Sequence, residues 1–325
     1  MSQPDWALAI LATIDAALPL RATVLHDSNG QLAAVAPLVV SGRGLSRRLM
    51  PAGVRTYEPP AFAARDSAAL AELLEAIGRQ GLPLMLPAVY AHSAEAEAFA
   101  GHPAGGIRPR GRASPATARK SLDIDELDAS IGGQRRSIVR RKRKAAEKLG
   151  TLEVSFFSPS AGEVEAALDE LVVVEAAGWK GRAGTSLRHD LPLQAFYRAY
   201  AGRAASRGLV RFGRITIAGR LAAMRMDVEW GGERWELKIG FDEHFADVSP
   251  GQLLSYETFK DARARGARFH NFLGGYEGWQ DDWGIEVLPQ LNLRRYPLTP
   301  SGLAALGADG ASAALRKIVS RRRSR

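Results

Sequence analysis

The sequence contains no cysteine. That excludes disulfides, thiolate nucleophiles and cysteine-ligated metals, and it fits a reducing compartment. No apolar run approaches the roughly 18–20 residues a helix needs to cross a bilayer. The N-terminal stretch carries Asp5 and Asp15 and no early Lys or Arg, so the charged start of a signal peptide is missing. A soluble, cytoplasmic protein is expected. The six histidines are scattered, without the close pairing that zinc sites favour, so no metal is expected. A Walker loop, a dinucleotide fingerprint after a strand and a Gly-x-Ser-x-Gly elbow are also absent.

What is present fits a globular protein of two parts. A length of 325 residues suits two domains of about 150 each. Hydrophobic residues make up 46% of the chain and charged residues 24%. The net charge of +9 is concentrated in two places. Arg135, Arg136, Arg140, Arg141, Lys142, Arg143, Lys144 and Lys148 face a single Glu147. Arg316, Lys317, Arg321, Arg322, Arg323 and Arg325 crowd the C-terminus. The remainder is close to neutral. Two such patches are either a solvated helix face and a frayed tail or contacts for an anionic partner: a phosphorylated cofactor, a membrane surface or nucleic acid.

Hydrophobic periodicity sets the organisation. In the first half a helix is expected over 6–18, strands at 21–25 and 31–40 around the hairpin turn Asp27-Ser28-Asn29-Gly30, and helices at 67–79 and 92–100 flanking a strand at 82–88. The Gly-, Pro- and Arg-rich segment 101–120 reads as loop. In the second half a strand at 152–157 precedes helices ending near 177 and 207. Three strands follow, at 209–217, 221–230 and 234–241, turning at Ala218-Gly219 and Gly231-Gly232. Ala222, Met224, Met226 and Val228 alternate with Ala223, Arg225, Asp227 and Glu229, and Trp235, Leu237, Ile239 and Phe241 share a face, which predicts a half-buried antiparallel meander. A helix at 252–265 ends at Gly266, and strands at 268–273 and 287–296 bracket a helical piece at 276–283. The boundaries expected are a first domain over 1–120, a linker and basic helix over 121–150, a second domain over 151–305 and a basic tail over 306–325.

Particular residues sharpen this order. Glu175-Ala-Ala-Gly178-Trp179-Lys180-Gly181-Arg182 follows the first helix of the second half. Leu237-Lys238-Ile239-Gly240-Phe241-Asp242 precedes Ser249-Pro250-Gly251-Gln252-Leu253-Leu254, and Gly274-Gly275-Tyr276-Glu277-Gly278-Trp279 comes near the end. Over about 130–300 the series resembles the CelD-like, BioF-type acetyltransferases of the GNAT superfamily, close to the FemAB-like tandem GNAT proteins. The resemblance implies an α+β fold of tandem GNAT-like domains, each a mixed, mostly antiparallel sheet flanked by helices, the first a degenerate copy of the second. It implies acyl-CoA or acetyl-CoA as donor. The acceptor implied is a cell-envelope precursor: a glycan, an amino sugar or an amino lipid. A FemAB-like transferase would instead draw on aminoacyl-tRNA. One position departs from the family pattern: Gln280 stands where a lysine is expected after the Glu-x-Tyr series, which leaves a non-catalytic binding protein as a further reading.

The donor segment also has a reading of its own. Ser249 suits an N-cap, Pro250 the first helical position, and Gln252 the far end of a capping box. Gly251, Gln252, Leu253 and Leu254 would then open a helix whose amides can hold a pyrophosphate, unless the motif is simply a well-capped helix. Acyl transfer needs a route for the acceptor's proton and a donor to the thioester oxygen. The resemblance points to main-chain amides around Ile239–Asp242 for the second task. Asp242 is either the base or a loop cap, and His244 is close enough in sequence to share its part. Glu175 with Trp179 and Lys180, and Glu277 with Trp279, are the expected acceptor side. Anionic membrane contact would fall to the helix at 135–148 and the tail.

Overall fold

The computed structural model describes residues 3–54, 62–101, 106–123 and 127–323, the last ten of these by backbone alone. In chain order the elements are α1 (Pro4–Ala12), β1 (Thr23–His26), β2 (Leu32–Ala36), β3 (Leu38–Ser41), β4 (Arg48–Pro51), β5 (Ala63–Ala64), α2 (Ser67–Gly78), β6 (Leu84–Tyr90), α3 (Ala94–Gly101), β7 (Arg112–Ser121) and α4 (Gly133–Leu149). They continue with β8 (Leu152–Phe157), α5 (Val164–Ala176), α6 (Trp179–Arg182), α7 (Leu191–Ala205), β9 (Val210–Ile217), β10 (Arg220–Trp230), β11 (Glu233–Phe241), α8 (Pro250–Ala264), β12 (Phe269–Asn271), β13 (Glu286–Arg295) and α9 (Pro300–Arg323). Short 3₁₀ turns occupy Gly44–Ser46, Glu243–Val248 and Gly278–Trp283.

The chain forms two compact units. The first joins Asp15–Pro115 to Pro289–Arg325. Its β3 pairs with β4 antiparallel, β4 with β6 parallel and β6 with β13 antiparallel. Helix α2 begins where the Asp66 carboxylate accepts the Ala69 N–H at 2.8 Å, and it buries Leu70, Leu73, Leu74 and Ile77 at helical spacing. The expected hairpin is closed by Asp27, whose Oδ1 accepts the N–H groups of Asn29 and Gln31. The stretch expected as a tail is helical: α9 runs from Pro300 to Arg323, and Asp309 on it holds Arg48 through both oxygens at 3.0 and 3.1 Å. The side chains of its basic end lie outside those described.

The second unit joins Gln3–Ile14 to Ala116–Leu288. Strands β8, β9, β10 and β11 form an antiparallel meander, as the periodicity predicts. Strand β12 then pairs with β11 in parallel and with β7 antiparallel. Helices α4 and α8 share a core with β9 and β10 through Val139, Ala146, Leu253, Leu254, Phe259, Ile215 and Ala223. Helix α1 packs on α7, with the Trp6 ring 4.6 Å from Phe196 and 4.8 Å from Tyr200. Mixed sheets flanked by helices are therefore found in each unit, matching the α+β expectation.

Three expectations need correction. Within the segment read as loop, residues 112–121 are strand β7, and 102–105 lie outside the described residues. Its small and cationic side chains hide the strand, which is specified by pairing with β12. Strand β10 is not half-exposed: Arg225 and Asp227 are as buried as the methionines beside them. Strand β11 does not keep one apolar face, because its register against β10 slips between Met226 and Asp227, a bulge that resets the alternation.

Candidate active site

The pairing of β11 with β12 lasts three residues, from Glu233↔Phe269 to Trp235↔Asn271. Beyond it, Glu236–Phe241 continues along β10 with no partner on its other edge among the described strands. The edge of β11 is therefore open past Trp235, and the 3₁₀ turn after β11 leads directly into the start of α8.

Here the cap differs from the expected one. Ser249 precedes α8 in the left-handed region, at φ 50° and ψ 55°, and its side chain makes no capping hydrogen bond. The capping box does not form, because Gln252 is recruited elsewhere: its Oε1 accepts Arg135 Nη1 at 2.9 Å. The Ser249 carbonyl accepts the N–H groups of Gln252 and Leu253 at 3.0 and 3.2 Å. Pro250 has no N–H, so Gly251 carries the N–H that has no acceptor among the described residues at this end. A Cβ on Gly251 would sit 3.6 Å from the Phe241 ring, so the glycine lies over the open part of β11. Leu253 and Leu254 face the core and offer only backbone.

Arg135, at the start of α4, ties this end together. Its guanidinium also donates to the Trp279 carbonyl at 3.2 Å and to Asp282 Oδ2 at 2.8 Å, over the Trp283 ring. Glu277 and Trp279 are thereby brought beside the α8 start. Both are exposed, and Trp279 Nε1 donates to Glu277 Oε2 at 2.6 Å. Gln280 is buried and accepts the Glu277 N–H at 2.9 Å, closing a capping box at this turn. Along α4, Lys142 donates to the Asp247 carbonyl just before Ser249, while Arg140, Arg141 and Lys144 are exposed.

The other residues gather at the far end of β11. Glu175 lies in the last turn of α5 rather than in a loop and is 1% exposed. Its oxygens accept Lys180 Nζ at 3.0 Å and the Leu187 N–H at 2.8 Å, and Lys238 Nζ is 4.0 Å away. Lys180 also donates to the Ile239 carbonyl at 3.0 Å. Gly240 permits this approach, since a Cβ there would lie 2.5 Å from Glu175 Cα. Burial lowers the Lys238 ammonium below the usual lysine value despite Glu175. Trp179 is 53% exposed beside this pair. Asp242 acts as a loop cap, accepting the His244 N–H at 2.9 Å, and the exposed His244 ring packs against Phe245. Glu175→Ala would leave Lys180 and Lys238 without their carboxylate. It is expected to cost roughly 3 kcal/mol in denaturant unfolding, whereas Asp242→Ala should cost about 1 kcal/mol, the worth of a cap.

Sequence reasoning missed the group at the apex of the opening. Glu236 is the first residue of β11 past the paired segment, and its Oε2 accepts Arg225 Nη2 at 2.9 Å, with His270 Nε2 at 3.3 Å. Burial works to raise the Glu236 carboxyl, but Arg225, His270 and Lys180 together outweigh it and hold the group below the ordinary value. Burial pushes the His270 imidazole down, aided by Arg225. The signal available was the opposite charge of Arg225 and Glu236 across one hairpin. Among the described residues, no group of three or more His, Asp or Glu side chains could hold a metal, and no helix is long and apolar enough to cross a membrane.

Residues 133–281 match the family described as acetyltransferase (GNAT) domain. The crystal structure of FemX superposes with a TM-score of 0.60 at 15% identity, covering 91% of this chain and 92% of that one. The C-terminal domain of a putative lysylphosphatidylglycerol synthetase from Agrobacterium fabrum gives 0.56 at 15% identity, covering 94% and 96%. L-PGS from Bacillus licheniformis gives 0.55 at 11%, covering 94% and 95%. At such identities the likeness is one of fold. No curated protein sequence matches the chain. The matched domain supports an acyltransferase, and the solved structures show a shared fold over nearly the whole chain.

Proposed function

We propose that the enzyme transfers an acyl group from a CoA thioester to an amine or hydroxyl of a cell-envelope precursor. The observation that carries this reading is the opening between β11 and β12, with the free Gly251 N–H and the cationic α4 beside it. A pyrophosphate at Ser249–Gln252 would meet that N–H, the positive end of α8 and the ammonium groups of α4. Leu253 and Leu254 support the segment from below. The thioester would then run along the unpaired edge of β11, where a main-chain N–H near Ile239–Asp242 can donate to its oxygen. Trp179, His244 and Trp279 supply exposed surface for the acceptor. Glu175 acts through Lys180 as a positioning residue. Asp242 and Glu277, both reachable by solvent, are the carboxylates able to take the acceptor's proton.

The resemblance to CelD-like proteins favours a glycan or amino-lipid acceptor, and the basic face of α4 would suit one made at an anionic membrane. The same face would suit aminoacyl-tRNA as donor. The two donors separate by thermal shift. Saturating CoA or acetyl-CoA, at about 100 times its dissociation constant, should stabilise the protein by about 2.7 kcal/mol. Gly251→Trp, which fills the space over Phe241, should fold normally and lose that gain. No response to any CoA thioester would overturn the reading and make aminoacyl-tRNA the next ligand.

A further inference from the structure

A second charged site lies in the first unit, away from everything described above. A cavity of about 120 Å³ opens between Asn292 and Arg294 of β13, Tyr296 just after it, the segment carrying Arg110 and Arg112, and the face of α9 at Asp309. Its charge is lopsided. Both oxygens of Asp309 are engaged by Arg48, and one also accepts the Tyr296 hydroxyl at 2.5 Å, so its negative charge is already matched. Arg294 sits 3.5 Å from the same carboxylate. The side chains of Arg110 and Arg112 are exposed and make no hydrogen bond or ion pair among the described residues. Asn292 Oδ1 accepts the Ala88 N–H at 3.2 Å, which leaves its amide NH₂ as a donor. The cavity therefore presents donors and positive charge, with its one carboxylate spent on Arg48. It is well below the roughly 300 Å³ of a drug-sized or cofactor pocket, yet far above what one water needs. A tetrahedral oxyanion matches both the size and the fork geometry of arginine.

We propose that this cavity binds a phosphate-ester group, carried by a soluble metabolite or by a lipid head group. Full-length protein is titrated with inorganic phosphate and with glycerol 3-phosphate at constant ionic strength, following the melting temperature. Sedimentation with vesicles of equal parts phosphatidylglycerol and phosphatidylcholine forms the second arm. Arg110→Ala/Arg112→Ala should fold as the parent does, since neither side chain holds a partner. It should weaken the response by about tenfold or more, as expected for losing charge-assisted hydrogen bonds. Gly251→Trp should keep it, which separates this site from the proposed donor site. A response to glycerol 3-phosphate that the double variant loses identifies a metabolite, and one lost only with vesicles identifies a lipid. The proposal is overturned if the double variant matches the parent with every probe, if the parent responds to none, or if Gly251→Trp abolishes the response.

Discussion

Arg225→Met is expected to lower the unfolding free energy by roughly 3–5 kcal/mol, the cost of stripping a buried ion pair of one partner. Arg225 is 0% exposed and binds two carboxylates, Asp227 through Nε at 3.0 and 3.1 Å and Glu236 through Nη2 at 2.9 Å. Methionine fills much of the volume but neutralises neither. Among the described residues, Asp227 would keep Arg234 at 3.4 Å, and Glu236 the His270 ring and the more distant charge of Lys180. The loss should appear as a lower urea midpoint at unchanged slope. Its pH dependence has a definite sign. In the parent, Glu236 titrates below its ordinary value, so its contribution is present above about pH 4.5 and is lost as pH falls further. In the variant the lone buried carboxylate titrates above that value, so the deficit shrinks as pH drops from 7 toward 5. Asp227→Asn and Glu236→Gln added together should recover part of the loss at pH 7. A cost near 1 kcal/mol or less, that of a surface pair, would mean that water reaches the network.

That network also marks where sequence reading stopped. The meander and the helix at 252–265 were legible because their apolar residues recur at a fixed period, and the hairpin at Asp27 because of its turn residues. Arg225, Asp227, Glu229, Arg234 and Glu236 carry the same period, and their charge made them read as the solvent side. Each is neutralised by a residue from another strand or from α8: Arg234, for instance, reaches Asp227, Glu229 and Asp261. Pairing across elements is invisible to a window that slides along one. The Ser249–Leu254 segment was placed correctly as the start of a helix, but its cap was misread for the same reason. Nothing near Ser249 in sequence announces that Arg135, more than a hundred residues earlier, takes Gln252 away. Gln280 gave the opposite lesson. Its departure from the family pattern suggested lost chemistry, while its buried side chain closes the turn that presents Glu277 and Trp279.

Lys120→Met should move stability the other way, raising it by roughly 1–3 kcal/mol at neutral pH, the scale of a buried polar group relieved of its desolvation. Lys120 lies on β7, opposite His270 in the pairing with β12, and is 0% exposed. Its ammonium donates to Ser130 Oγ at 2.8 Å and lies 5.9 Å from the Phe259 ring, with no carboxylate within ion-pair distance among the described residues. Burial lowers its titration from 10.5 to about 8. The unfolded chain therefore holds this proton more tightly than the folded one. Below about pH 8 the cost of burying the charge is fully present. Between 8 and 10.5 the folded protein sheds the proton while the unfolded chain keeps it, so the parent gains stability as pH rises through that window. The variant lacks this term. Its advantage should be constant from pH 6 to about 8 and shrink toward pH 10.5, measured as the difference between the two denaturation midpoints. Ser130 keeps its hydroxyl satisfied by donating to the Leu127 carbonyl at 2.6 Å, so the substitution leaves no polar group stranded. A destabilised variant, or an advantage unchanged across that window, would show that the ammonium is solvated or paired and that β7 has a polar role at this point.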